Sequence, residues 1–298
     1  MKDDNIQRNS INWFPGHMAK TRRLLKESIP LVDIVIEILD ARIPFSSHNP
    51  EIEKIAAAKP KLLLLNKESL ADPSVSGAWS DYYSRLGYCC LFTDLITGKG
   101  VREIPVKIKE ILSDKLARYK EKGMGGRPVK AMVVGIPNSG KSTFINRMAG
   151  FSKTKTENRP GVTRDKQWIP TGKGLDLLDT PGVLWPKFEN SVVGENLAIT
   201  GAIKDDILDA ENIACILISR LRNTAPEKLS ERYRLGDSAS DRRLSDFELL
   251  EAVGKSRGFL LSGGSVNTER AAQTLIDEFR SGKIGRITLE LPTGSGQQ

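Results

Sequence analysis

The order of two short motifs constrains this chain more than any other feature in it. Gly135-Ile136-Pro137-Asn138-Ser139-Gly140-Lys141-Ser142 has the pattern of a phosphate-binding loop and stands near the middle. Asn66-Lys67-Glu68-Ser69, the best candidate for a guanine-reading motif, comes well before it. In the usual order of a guanine-nucleotide domain the phosphate loop comes first and the Asn-Lys motif follows. No Asn-Lys pair follows the loop here. Either the match is accidental, or the domain is circularly permuted. The remaining motifs favour permutation.

The apolar pattern predicts an α/β architecture. Residues 33–40 (DIVIEILD) and 61–66 (KLLLLN) read as strands, with a helix over 51–58 between them. That alternation implies a mostly parallel sheet flanked by helices. Residues 88–93 form a further strand and 101–122 one long amphipathic helix; 123–128, rich in glycine, is a joint. Residues 130–135 are a strand feeding the phosphate loop and 141–148 the helix after it, while 167–170 and 175–179 form a strand pair. From Asn190 helical patterns take over, at 193–203, 210–221, 245–255 and 268–281. The expected division is a permuted nucleotide domain over 1–188, opened by a basic helix at 18–28, an all-helical domain over 189–291, and a loose tail over 292–298.

Forty-five Lys and Arg against 37 Asp and Glu give a net charge of +8, which favours a polyanionic partner. No apolar run is long enough to span a membrane, and the acidic Met1-Lys2-Asp3-Asp4 start is unlike a signal peptide. Cys89, Cys90 and Cys215 lack metal-type spacing and read as thiols of a reducing compartment, so a cytoplasmic monomer is expected.

The loop's glycines let successive backbone N–H groups turn toward phosphate oxygens. Lys141 would reach the β and γ phosphates, and Ser142 would offer a hydroxyl to Mg²⁺. Asn138, Ser139, Gly140, Lys141, Ser142 and Thr143 are therefore the phosphate-side candidates. Asp179-Thr180-Pro181-Gly182 fits a second switch, with Asp179 on Mg²⁺ through water and the Gly182 N–H on the γ-phosphate. Thr163, between the two, is placed to complete the Mg²⁺ shell. Val183 stands where many GTPases carry a water-orienting Gln, and valine cannot orient water. Of the two histidines, His17, at a loop entering a helix, is a better substitute than His48; a structural role for its loop is an equal alternative. Gly254-Lys255-Ser256 mimics the end of a phosphate loop, but Leu249 replaces the first glycine, so it reads as structural.

Trp13-Phe14-Pro15-Gly16-His17-Met18-Ala19-Lys20, Asp40-Ala41-Arg42-Ile43-Pro44, the motif order, Asp179-Thr180-Pro181-Gly182 and Leu184-Trp185-Pro186-Lys187-Phe188 together resemble the YlqF/RbgA family of circularly permuted ribosome-biogenesis GTPases. Thr200-Gly201-Ala202-Ile203-Lys204-Asp205 and Leu261-Ser262-Gly263-Gly264 extend the resemblance through the C-terminal half. The resemblance implies GTP and GDP as ligands, a catalytic role for His17, a K⁺ held by Asn138, and RNA contact by the C-terminal helices. It implies a late precursor of the large ribosomal subunit as partner.

Two departures fall on the base side, whose candidates are Asn66, Lys67, Glu68, Ser69, Asp94 and Leu95. The family motif ends in Asp, whose carboxylate accepts from guanine N1 and N2; here the position holds Ser69, a weaker acceptor. Glu68 is adjacent but should point elsewhere. Leu95 stands where the family usually has Ser. Three readings follow: an RNA-dependent GTPase, a nucleotide-dependent scaffold with little turnover, and an enzyme of relaxed base specificity.

Overall fold

The computed structural model describes residues 18–150, 168–185, 188 and 190–292. Six strands form one sheet: β1 (Ile34–Asp40), β2 (Lys61–Asn66), β3 (Cys89–Phe92), β4 (Val129–Gly135), β5 (Trp168–Pro170) and β6 (Leu175–Asp179). Their order is β3-β2-β1-β4-β6-β5, parallel except for β5 against β6. β1 and β2 are buried along their whole length, as expected of strands covered on both faces.

Period-two alternation divides the core. Ile34, Ile36, Ile38, Leu62, Leu64, Ala131 and Val133 face Phe144, Ile145 and Met148 of the helix after the phosphate loop, with Ile104, Ile108 and Leu112. On the other face Val35, Met132 and Val134 meet Leu25, Ile52 and Val183, and Leu63 and Leu65 meet Trp79 and Tyr83. The apolar cluster of the C-terminal helices takes in Ile43, Ile136, Leu184 and Trp185. These four residues join it to the ends of β1, β4 and β6.

The single helix expected over 101–122 is two, Ile104–Ile111 and Ser113–Glu121. Leu112 leaves the helical region at φ −100°, ψ 12°. Its side chain turns into the core with Ile104 and Ile108, whereas the helix after it buries no residue. The helix expected over 193–203 runs Ser191–Ile199 and ends at Gly201, whose φ of +79° suits glycine. Pro226–Tyr233 is a helix that periodicity left unassigned; proline opens it and Leu229 and Tyr233 anchor it. Gly254 lies within Asp246–Ser256, packed against Val266 and Ala271, in keeping with a structural role. No helix among the described residues is long and apolar enough to cross a membrane.

After the last helix, Thr268–Arg280, the chain returns to the nucleotide unit. Ile287 N donates to Leu70 O at 2.9 Å and Leu289 N to Arg42 O at 2.8 Å. Arg286 donates to the carbonyls of Ala71 and Glu68, each at 2.9 Å. The Glu290 carboxylate accepts from Phe45 N and Ser46 N, and from Asn196 Nδ2 at 2.9 Å. Burial pushes this carboxyl up from its ordinary value.

Candidate functional site

Strand β4 delivers Gly135 to the sheet's C-terminal edge, and the chain turns through Asn138, at φ +58°, into the helix Lys141–Ala149. Gly140, at φ +109°, lies so close to the Asn66 amide and Leu95 that a side chain there would collide with Asn66. Lys141 is buried and donates to Ile136 O at 2.7 Å; burial pushes its ammonium down to about 8, although Asp179 opposes this. Burial pushes the Asp179 carboxyl up, opposed by Lys141 and the Thr180 N–H. A methyl on Gly182 would stand 3.1 Å from both Lys141 Nζ and Pro137, so the second-switch glycine lies against the phosphate loop.

Ser139 Oγ is buried with no hydrogen-bond partner among the described residues, whereas Ser142 is exposed and Thr143 half-buried at the helix start. An unpartnered hydroxyl, a cramped lysine and a raised carboxyl together suit a loop that receives phosphate and a hard cation. His17 and Thr163 lie outside the described residues.

The Asn-Lys motif meets this loop directly. Asn66, at the end of β2, donates from Nδ2 to Ser139 O at 2.7 Å, and its Oδ1 accepts from Leu95 N at 3.0 Å. One side chain thus fixes the phosphate loop against the 94–98 loop, and the match is not accidental. Leu95 itself is buried in the sheet core, so it presents its backbone there. Arg147 holds the same loop from the helix, donating to Leu95 O at 2.7 Å and also to Ile96 O. Sequence reasoning missed Arg147, because a basic residue on a helix face carries no signal of its partner.

Lys67, at φ +64°, directs Nζ to Asp40 at 2.8 Å. Arg42 grips the same carboxylate, with Nε at 2.9 Å and Nη2 at 2.7 Å. Burial pushes Asp40 up, but Arg42 and Lys67 outweigh it and hold the carboxyl far below the usual range. Arg42 also reaches Arg280 O at 3.3 Å and stacks on Phe279, 5.4 Å from the ring centroid. Glu68 points away, paired with Lys99 at 2.7 Å. Ser69 donates to Asp94, which also accepts from Ile96 N at 3.0 Å and Thr97 N at 2.9 Å.

Asn138 is exposed and donates to Gly201 O at 2.6 Å, across to the helical unit. Val183 donates its N–H to Gly135 O at 3.1 Å and buries its side chain with Leu25, Ile52 and Val134. His48 is paired with the buried Glu37 at 3.1 Å, among Tyr83 and Tyr88.

Residues 130–237 match the family described as 50S ribosome-binding GTPase. Ribosome biogenesis GTPase A of Priestia megaterium is 47% identical, over 97% of this chain and 99% of the relative. Its counterpart in Bacillus pumilus is 46% identical, over 95% and 99%. The crystal structure of GNP-bound YlqF from T. maritima superposes with a TM-score of 0.63 at 26% identity, covering 92% of this chain and 98% of that one. Similarity this high over nearly the whole length, with a phosphate loop that its own Asn-Lys motif embraces, shows that the chain belongs to the YlqF/RbgA family of ribosome biogenesis GTPases.

Proposed function

We propose that the chain binds GTP between the phosphate loop and the 66–69 and 94–98 loops, hydrolyses it, and acts in late assembly of the large ribosomal subunit. The observation that carries this is Asn66, which joins all three segments through Ser139 O and Leu95 N. Backbone N–H groups of 138–143 and the Gly182 N–H bind the phosphates, and Lys141 supplies charge to the β and γ groups. Asn66, Lys67, Ser69, Asp94 and Leu95 form the base side; Glu68, spent on Lys99, serves only to hold the loop. Ser142 and Thr163, with Asp179 through water, would hold the Mg²⁺ that GTPases generally use, which neutralises charge on the phosphates. Asn138 has its amide oxygen left for K⁺, since its nitrogen is the atom bonded to Gly201. The Val183 side chain is buried, so the water-orienting group is proposed to be His17.

The division at 188 is proposed to set a nucleotide unit against a helical, RNA-contacting unit, in a cytoplasmic monomer. Among the arginines of the C-terminal helices, Arg222 pairs with Asp246, Arg220 with Glu195 and Arg243 with Asp241. A cleft of about 610 Å³ lined by Lys228, Glu231, Arg232, Arg234, Arg257 and Lys283 is the stronger candidate for phosphate contact, although Arg232 and Arg257 there pair with Glu278. Arg234 and Lys283 carry no ion pair there among the described residues.

The test is GTP turnover with and without purified large subunits, in KCl and in NaCl, for the unmodified chain and His17→Ala. Stimulation by subunits that His17→Ala abolishes is expected. Nucleotide-tuned subunit binding without turnover would establish the scaffold instead, a reading that the buried Val183 favours.

A further inference from the structure

The guanine-reading motif lacks its carboxylate, yet a carboxylate stands directly behind the residue that replaced it. Ser69 is exposed, in the 3-10 turn Glu68–Leu70 that follows the left-handed Lys67. Asp94 is 4% exposed, and its side chain accepts the Ser69 hydroxyl proton. An exposed hydroxyl is therefore tied to a buried acceptor 25 residues away.

We propose that Ser69 and Asp94 act as one unit that replaces the missing aspartate and makes the site selective for guanine. This rests on the reading of 66–69 as the base side. A free serine hydroxyl donates or accepts by rotating about one bond, and so tolerates either kind of base edge. Asp94 removes that freedom. Its other oxygen is committed to Ile96 N and Thr97 N, and burial, which raises its carboxyl, is outweighed by these donors and by Ser69. Ionised, Asp94 can only accept, so the Ser69 proton points to it and the outward lone pairs of Ser69 Oγ only accept. Contact with the anion also strengthens Oγ as an acceptor.

The polarity selects among purines. Guanine offers donors at N1 and the 2-amino group, both suited to an outward acceptor. Hypoxanthine offers N1–H alone. Adenine presents an N1 lone pair, and xanthine a 2-oxo group, to an oxygen that cannot turn its proton outward. The order expected is GTP, then ITP, then ATP and XTP. Asp94 is a positioning residue here, acting through Ser69.

The experiment is competition of GTP, ITP, ATP and XTP against a fluorescent GTP analogue, for the whole chain and for Asp94→Asn, Ser69→Ala and Ser69→Asp/Asp94→Asn. In Asp94→Asn the amide can donate to Ser69, which frees the hydroxyl proton to turn outward. The preference for GTP over XTP should then fall at least about tenfold. Ser69→Ala should lower it likewise, and the double variant, which moves the carboxylate to the motif position, should restore it. Equal displacement by all four nucleotides in the unmodified chain would sink the base-side reading itself. A GTP preference that survives both single variants would leave that reading intact and overturn the Ser69–Asp94 unit. Uniform weakening of all four nucleotides by Asp94→Asn, with Ser69→Ala silent, would also overturn it, reducing Asp94 to support of the 94–98 loop.

Discussion

The side chain of Asn138 and the backbone of Gly201 are hydrogen-bonded, Nδ2 to O, at 2.6 Å. The first belongs to the phosphate loop; the second ends the first helix of the C-terminal unit, Ser191–Ile199. A ligand that reorients Asn138 must break or redirect this bond, so the loop and the helix end are coupled. Asn138→Ala is expected to raise hydrogen exchange at residues 200–203 several-fold while leaving β1 and β4 protected. Unchanged exchange at 200–203 would mean that the contact transmits nothing.

Lys141 gives a pH dependence whose sign is fixed. Burial holds its ammonium at about 8 without ligand, and phosphate oxygens beside it favour the charged form and raise that value. Nucleotide binding should therefore take up a proton above pH 8, and affinity should fall as pH rises from about 8. Titration calorimetry at pH 8.5 in two buffers of different ionisation enthalpy measures that uptake, and Lys141→Arg should abolish it.

Arg42 is 2% exposed and shares the buried Asp40 with Lys67. Arg42→Ala would leave that carboxylate with one cationic partner, Lys67, beside the backbone N–H of residue 42, and remove the stack on Phe279. A loss of about 3–5 kcal/mol is expected, since breaking one side of a buried pair strands the other charge. Arg42→Lys should recover only part of it, because an ammonium cannot grip both oxygens as the guanidinium does. Urea unfolding of the three proteins would measure both steps.

Glu278 is the corresponding anchor in the helical unit. Burial raises its carboxyl, but Arg232, Tyr233 and Arg257 outweigh this and lower it from 4.5 to about 2. A depressed carboxyl stabilises the fold fully above its unfolded value and loses that contribution as pH falls toward its folded value. On the order of 2–3 kcal/mol should vanish between about pH 5 and pH 2. Glu278→Gln should be less stable than the unmodified chain at pH 7, and the gap should close across that window in thermal melts.

Much of this was legible in the sequence, for local reasons. β2 is a continuous apolar run between Lys61 and Asn66, and β1, up to Asp40, is one broken only by Glu37, as a strand covered on both faces requires. The phosphate loop announces itself by spacing, and the motif order pointed to a permuted domain. What stayed hidden involves partners far apart in the chain. Nothing near Glu290 indicates that it satisfies the Phe45 and Ser46 amides. Nothing near Ser69 indicates that Asp94 lies beneath it, so in the sequence Ser69 reads only as a weaker acceptor in place of the motif carboxylate. The kink at Leu112 was equally invisible, because helical periodicity continues through it and only the position of the core decides where the chain bends.

The strand order also sets a timetable for biosynthesis. A ribosome delivers β1, β2 and β3 first, and these can pair with one another as a three-stranded parallel unit. The other edge of β1 has no neighbour until Val129–Gly135 has been made. The loop over 68–72 waits longer still, for the last turn of the chain to bring Arg286 and Ile287. A nascent chain of this protein thus carries an open strand edge, with unpaired N–H and C=O groups, through much of its synthesis, which invites chaperone capture or mispairing at that stage.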